Sequence, residues 1–368
     1  TASALLINPV EGDNAISLAD ISDGITVSGS SVRIPEGTPV TVTLNGQQYQ
    51  GVVNAGGFWT VTVPNSAAAL IGDGTATVTV SSVDVNGVPL TSEQQFLIIT
   101  QQLPLATINT PFGDGTINAL EAAAGGALTG TTGSRGAGQS VTVQVDNGAP
   151  ISGTVDANGN WTLPLTPAQI SVLAQGSHTV TVTVADAAGN QNTQTAPLNV
   201  DTVPPLLTIN SVTADNTVNS SEASGAVVIS GTGGPYDAQN VQAVIVLVNG
   251  QNYDAILQPD GTWSITLPAG ALANVADGPV AISARITDPA GNSTTIPGSF
   301  TLDASPLNAP LIAVNTVSAD NFINALEAQS PLTVSGTTTR VEEGRTVTVT
   351  LSGQTYTCLL YTSPSPRD

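Results

Sequence analysis

The chain has 368 residues, with 27 Asp+Glu against 6 Lys+Arg, a formal net charge of -21 and a pI near 4.1. The basic residues are all arginines (Arg33, Arg135, Arg285, Arg340, Arg345, Arg367), so no basic patch can form; this excludes nucleic acid as a partner and direct insertion into an anionic membrane. One cysteine, Cys358, and one histidine, His178, leave no disulfide framework, no Cys-rich zinc site and no histidine-based triad.

Val, Thr, Ala and Gly dominate and aromatics make up only 4%, a composition suited to packed strands. No apolar run reaches the roughly 18 residues of a membrane-spanning helix. No basic segment followed by an apolar stretch marks a signal peptide. The chain opens on Thr1 without any methionine, and reads as a piece of something longer.

In chain order the sequence reads as repeats over 1–103, 104–204, 205–308 and 309–357, followed by 358–368. Each repeat opens on an acidic phrase. Repeat 1 has a weak copy, Asp13 to Asp20; the others have Asp114-Gly-Thr-Ile-Asn-Ala-Leu-Glu121, Asp215-Asn-Thr-Val-Asn-Ser-Ser-Glu222 and Asp320-Asn-Phe-Ile-Asn-Ala-Leu-Glu327. An alternating strand follows: Val40/Val42/Leu44, Val141/Val143/Val145, Val244/Val246/Val248 and Val347/Val349/Leu351. Thr or Gln lies between these residues, except in repeat 3, which has Ile245 and Leu247; such alternation predicts an antiparallel strand with one side solvated. Asn45-Gly46, Asn147-Gly148 and Asn249-Gly250 then predict tight hairpins.

Next come Trp59, Trp161 and Trp263, at a step of 102 residues, each closing a Gly-containing turn phrase. That period is too long for a solenoid unit of roughly 20–50 residues, so each repeat is a whole domain with its tryptophan in the core. A short helical turn carries Ile170/Leu173 and Leu272/Val275, and Val180/Val182/Val184 begin a second alternating strand. This strand ends in Asp186-Ala-Ala-Gly-Asn190, matched by Asp288-Pro-Ala-Gly-Asn292, with Asp84 one step earlier. The last strand ends at Asp201 and Asp303; in repeat 1 the run Phe96-Leu-Ile-Ile-Thr100 leads into Gln101 with no Asp. About seven strands per 100 residues with regular turns predict an all-β chain of tandem immunoglobulin-like β-sandwich domains. Short linkers bearing Pro104, Pro204-Pro205 and Pro306 through Pro310 limit bending and predict an extended rod.

The fourth repeat tracks the others to Tyr356, which puts its tryptophan at 366, where Pro366 stands. From Cys358 to Asp368 the sequence matches nothing upstream and reads as a non-native tail of translated adapter sequence. Cys358 therefore carries no weight as a reactive thiol.

The acids carry the chemistry. In a sandwich of this topology the first turn and the end of the last strand share a pole, which faces a turn of the following domain. Asp114, Glu121 and Asp201 are thus expected to approach Asp288 at the junction of repeats 2 and 3. Asp215, Glu222 and Asp303 form the next such set, and Asp320 and Glu327 the start of another. Converging carboxylate and amide oxygens make a hard-oxygen site of the kind Ca²⁺ takes; zinc would want nitrogen or sulfur. The competing reading is that these residues make Asx-turns and cap loops. Neither an EF-hand loop nor a Gly-Gly-x-Gly-x-Asp repeat occurs to decide between them. The junction of repeats 1 and 2, lacking the terminal Asp, should bind calcium more weakly or not at all.

Together the Asp-x-x-Ile-Asn-x-x-Glu opening, the Val-Thr-Val-Thr-Leu-Asn-Gly strand, the Asp-Gly-Thr-Trp phrase and the Asp-Ala-Ala-Gly-Asn turn resemble the tandem bacterial Ig-like domains of giant biofilm-associated, RTX-like surface adhesins. The resemblance covers residues 1–357. It implies an extracellular stalk exported by type I secretion, stiffened by calcium between domains, without enzymatic activity. Its partners would be neighbouring repeats of the same chain, with a surface glycan or host protein met through other modules. The alternative is a repeat that itself binds a glycan or protein, for which the loop aromatics Phe112 and Tyr236 are weak platforms. His178 aligns with Ala76 and Val280 and reads as a strand-edge substitution.

Overall fold

The computed structural model describes residues 1–306 and 309–361. Residues 307–308 of the third linker and 362–368 of the tail, including the position of Pro366, lie outside the described residues. The chain divides into two compact units, Thr1–Val203 and Pro204–Asp368.

The first unit holds two sandwiches. In the first, Ala4–Ile7, Ile25–Val32 and Phe58–Val63 form one sheet. It faces a five-stranded sheet in the order Ala15–Ile16, Pro89–Ile98, Gly74–Val83, Pro39–Leu44, Gln47–Val52. In the second, Gly126–Thr131 pairs with Asn160–Leu165, and residues 105–109 run alongside through backbone bonds from Leu105, Thr107 and Asn109. The opposite sheet has the order Ile151–Thr154, Ser140–Val145, Gly176–Ala185, Gln191–Val200, Thr116–Ile117. The second unit contains a third sandwich of the same plan, from Leu206–Leu207 to Ser293–Asp303.

The alternating residues fill the interiors. Val40, Val42, Val141, Val143, Val244 and Val246 are fully or almost fully buried, whereas Ile245 and Leu247 are about two-fifths exposed on the outer face of repeat 3. Each sandwich has its own apolar cluster, and Trp59, Trp161 and Trp263 lie in them at 1–2% exposure. Opposite each tryptophan across the ladder stands a glycine: Gly29, Gly130 and Gly231. A Cβ on any of these would fall 1.9–2.0 Å from the carbonyl oxygen of Leu6, Thr107 or Thr208, and 2.5–2.6 Å from Cζ2 of the indole. The glycine therefore lets the first strand close over the indole. Trp161 Nε1 donates to Thr107 O at 3.2 Å and Trp263 Nε1 to Thr232 O at 3.3 Å.

In residues 309–361 two short ladders form, Leu311–Val314 with Gly336–Thr339 and Thr346–Leu351 with Gln354–Leu359. Their apolar residues, among them Leu311, Ile312, Val314 and Leu351, are exposed. The glycine is kept at Gly336, against Ala313 O, but among the described residues no tryptophan strand pairs with it.

The Asn-Gly hairpins form as expected in repeats 1 and 3. Asn45 and Gly46 have φ of 49° and 75°, and Asn249 and Gly250 of 45° and 80°, the two positive values a type I′ turn requires. Repeat 2 departs from expectation. There pairing resumes only at Val143↔Ile151, beyond Asn147-Gly148. Pro150 has no N–H to give the ladder, and Asp146 is drawn elsewhere. Its Oδ2 lies 2.6 Å from His178 Nδ1, and its Oδ1 accepts the Thr179 N–H at 2.9 Å. Nε2 of the same imidazole lies 2.8 Å from Ala174 O. His178 is thus more than a strand-edge substitution: it ties the hairpin loop to the turn before its own strand. Its hydrogen bond to Asp146, then that to the Ala174 carbonyl, raises its pKa, because both ring nitrogens face acceptors. The Asp146 carboxyl is lowered by the same histidine and by the Thr179 N–H.

Two outcomes are expected of repeat 2. Gly130→Ala should cost at least about 1–3 kcal/mol, the usual range for overpacking, since the clash is with backbone; a shifted urea midpoint at unchanged slope would show it. A raised folded-state pKa means the His178 contribution is complete below the ordinary value of 6.5 and fades as pH climbs through the folded value. The melting temperature should therefore decline with rising pH across that window, and His178→Val should flatten the decline.

Candidate metal-binding poles and the joint between the first two domains

A short parallel bridge builds each pole. Thr116 and Ile117 pair with Asn199 and Val200, and Asp201 N donates to Ile117 O at 3.0 Å, which sets Asp201 beside Asn118. In repeat 3 the same bridge runs one residue further, with Asn219 opposite Asp303. From these asparagines a capping box starts a one-turn helix. Asn118 Oδ1 accepts the N–H groups of Leu120 and Glu121, and Glu121 Oε2 accepts the Asn118 N–H, all at 3.0 Å. Asn219 and Glu222 repeat this arrangement.

The other acids of the opening phrases make Asx-turns. Asp114 accepts from Thr116 N at 2.8 Å and Asp320 from Phe322 N at 3.0 Å. Asp215 accepts from Thr217 N at 3.0 Å and from the Thr213 hydroxyl at 2.9 Å, and these two donors hold its carboxyl below the ordinary value. Glu327 takes the Asn324 N–H at 2.9 Å. Repeat 1 builds its pole with Ser17 in place of the asparagine and Asp20 in place of the glutamate; Asp20 Oδ2 accepts from both Ser17 N and Ser17 Oγ at 2.7 Å. Its bridge, Ala15↔Leu97 and Ile16↔Ile98, sets Ser17 beside Ile99, so an apolar residue stands where Asp201 and Asp303 stand in the others.

Among the described residues no group of three or more His, Cys, Asp or Glu side chains is gathered as a metal site. The poles of repeats 2 and 3 nevertheless combine a box glutamate with a terminal aspartate across one bridge, with Asp114 or Asp215 at the head of the same turn. Such carboxylate oxygens suit calcium, which takes six to eight ligands and accepts backbone carbonyls and water for the remainder. Asp288 differs from these: its Oδ1 accepts the Asn292 N–H at 2.8 Å and its Oδ2 the Asn292 side-chain amide at 3.0 Å, so it orients Asn292. Phe112 covers Gly126 and packs on its own core, and Tyr236 packs on the core of repeat 3, so neither offers a free aromatic platform.

Within the first unit, the turn of repeat 2 meets the pole of repeat 1. Asp186 Oδ2 accepts the Asn190 amide at 2.7 Å and fixes its orientation. Asn190, 8% exposed, then accepts the Leu18 N–H through Oδ1 and donates to Ile99 O through Nδ2, both at 2.8 Å. The linker is fastened as well. Asp73 accepts the N–H groups of Thr100, Gln101 and Gln102 at 2.8–3.0 Å, and Asn192 Nδ2 donates to Pro104 O at 3.0 Å. Arg135 Nη2 lies 3.2 Å from Asp73 Oδ2 and 3.3 Å from Gln102 Oε1. Burial by itself would raise the Asp73 carboxyl, but the Thr100, Gln102 and Gln101 N–H groups and the Arg135 charge together bring it below the ordinary value.

The sequence reading missed Asp73 and Arg135. Asp73 had a signal: Gln175 and Asp277 follow it at the same 102-residue step. Gln175 Oε1 accepts the Thr202 N–H at 2.9 Å, and Asp277 accepts those of Ala304 and Ser305, so the position fastens the chain leaving each sandwich.

Residues 127–202 and 211–304 match the bacterial Ig-like domain family. The structure of a Ca²⁺-stabilized adhesin that helps an Antarctic bacterium reach out and bind ice is 32% identical, over 96% of this chain and 87% of that one, with a TM-score of 0.38. A second structure, bearing on host cell surface retention of a 1.5-MDa bacterial ice-binding adhesin, is 28% identical over 83% and 98% of the two chains, with a TM-score of 0.39. A single Ig-like domain of the M. primoryensis ice-binding adhesin is 33% identical over 26% of this chain and 95% of that one, with a TM-score of 0.22. No curated protein matches the chain significantly. The second and third sandwiches, over residues 127–202 and 211–304, thus belong to the bacterial Ig-like domain family.

Proposed function

We propose that the chain is a stalk segment of a bacterial surface adhesin, lying outside the cell and without catalytic activity. Residues 1–103, 104–204 and 205–308 would each supply one Ig-like module, and 309–357 part of a fourth. Calcium would bind the poles of repeats 2 and 3, held by Glu121 and Asp201 with Asp114, and by Glu222 and Asp303 with Asp215. What supports this reading is the parallel bridge, which brings the last acid of a domain level with the asparagine whose capping box holds the glutamate. These carboxylates belong to a chain of net charge -21, and drawing them together on a shared site would be unfavourable in the absence of a cation. Bound calcium supplies the neutralising charge; the side chains supply a link between the first turn and the last strand of one sandwich. The reading also draws on the relative described as a Ca²⁺-stabilized adhesin.

Calcium titration of the full chain by calorimetry tests it. Binding should appear, Asp201→Asn and Asp303→Asn should each remove part of it, and Asp20→Asn should leave it unchanged. At about 100 times the dissociation constant a pole gains about 2.7 kcal/mol, so its domain should melt higher in calcium than in chelator. A chain that neither binds calcium nor shifts its melting would end the proposal.

A further inference from the structure

We infer that the joint between the first two domains is locked by protein alone, with the Arg135 guanidinium serving as its fixed cation. The contrast with the other poles rests on the calcium reading above; the lock itself does not.

Three observations converge. The pole of repeat 1 has Ile99 where the other poles have an aspartate, and Ile99 is 4% exposed, so an apolar side chain fills the position. The pole is read directly by Asn190, which satisfies one backbone donor, Leu18 N, and one backbone acceptor, Ile99 O, from two different segments of repeat 1. Its orientation is not free to invert, because Asp186 holds the amide nitrogen. Finally Arg135 bridges from the loop of repeat 2 to Asp73, whose side chain is 5% exposed, and to the side-chain Oε1 of Gln102 in the linker.

The carboxylate that the arginine meets is already oriented by three linker N–H groups. An ion pair with one partner pre-organised and nearly buried loses less to ordering and solvent screening than a pair between two free side chains. The positive charge at this pole is thus covalently part of the next domain and cannot be removed by a chelator. The sequence bears the same correlation. Repeat 3 has no arginine between Gly231 and Val244, and the repeat before it carries a neutral Gln175 where repeat 1 carries Asp73. Arg340 of repeat 4 lies one place earlier in its loop, counted from Gly336 against Gly130, and donates to Ala309 O within its own repeat.

The test uses the full chain with Cys358→Ser and spin labels at Gln48→Cys and Gln194→Cys, exposed sites in repeats 1 and 2. Pulsed electron–electron resonance should return the same narrow distance distribution in calcium and in excess EGTA. Arg135→Gln should broaden it in both conditions, and Arg135→Lys should broaden it less, because an ammonium keeps the charge but not the second contact. Calorimetry in EGTA should show repeats 1 and 2 melting together, and the glutamine variant should separate them. Broadening of the unmodified joint in EGTA to the level of Arg135→Gln would overturn the inference, as would an Arg135→Gln chain indistinguishable from the parent. Failure of the calcium reading alone would leave both measurements as expected here, since neither requires an ion to bind.

Discussion

The two-residue parallel bridge between the opening turn and the last strand is the constraint on which the functional geometry depends. An antiparallel sandwich sends its first strand to one sheet and its last to the other. Here the chain crosses after the first strand, and residues such as Thr116 and Ile117 add to the edge of the second sheet beside Asn199 and Val200. That crossing brings residues about eighty apart in sequence to one end of the domain. Much at the pole follows from it: the capping box and the terminal aspartate in repeats 2 and 3, and in repeat 1 the surface that Asn190 of the next domain meets. Without the bridge, Glu121 and Asp201 would be two unrelated surface acids.

The acidity of the chain has a structural meaning before it has a functional one. Asp114, Asp215 and Asp320 each accept a backbone N–H two residues on, while Glu121, Glu222 and Glu327 return to the backbone of an asparagine three residues back. Asp73 and Asp277 gather the N–H groups of a linker that no strand can satisfy. Such groups need acceptors, and a carboxylate is a strong one without the bulk of another strand. Turn chemistry and metal binding are therefore not rival explanations of these residues. A carboxylate has about four lone-pair directions, and a single backbone bond orients it while leaving others available.

Much of the fold was legible because its signals are local. Alternation at Val141, Val143 and Val145 marks a face irrespective of the partner strand, and Asn249-Gly250 determines its turn by its own dihedral preferences. The failures have the opposite character. Asn147-Gly148 carries the same signal as its counterparts, yet Pro150 denies the ladder an N–H and His178 captures Asp146 from thirty-two residues away. Gly130 looks like any small residue until the indole of Trp161 is seen lying across it. The Asx-turns and capping residues of the opening phrases were readable, since Asp114 and Glu121 recur in register, but the fastening acid at Asp73 was hidden by the change to Gln175 in the next repeat.

Arg135 was the hardest residue to read, and its place shows why a repeat array need not be uniform. Repeats diverge at positions whose only duty is to a neighbour, because each junction involves a different pair of surfaces. Within a sandwich, Trp161 and Gly130 meet the same packing as their counterparts in repeats 1 and 3. At a joint, loss of an aspartate is harmless if the following domain supplies compensating contacts. Ile99 and Arg135 form such a pair: one removes negative charge from a pole, and the other supplies a cation that finds the buried Asp73 instead. The amide of Asn190 needs neither, since it bonds backbone groups that exist whatever the side chains. The joint thus has a component independent of the side chains at the pole, the Asn190 amide, and a component that depends on them, the Arg135–Asp73 pair.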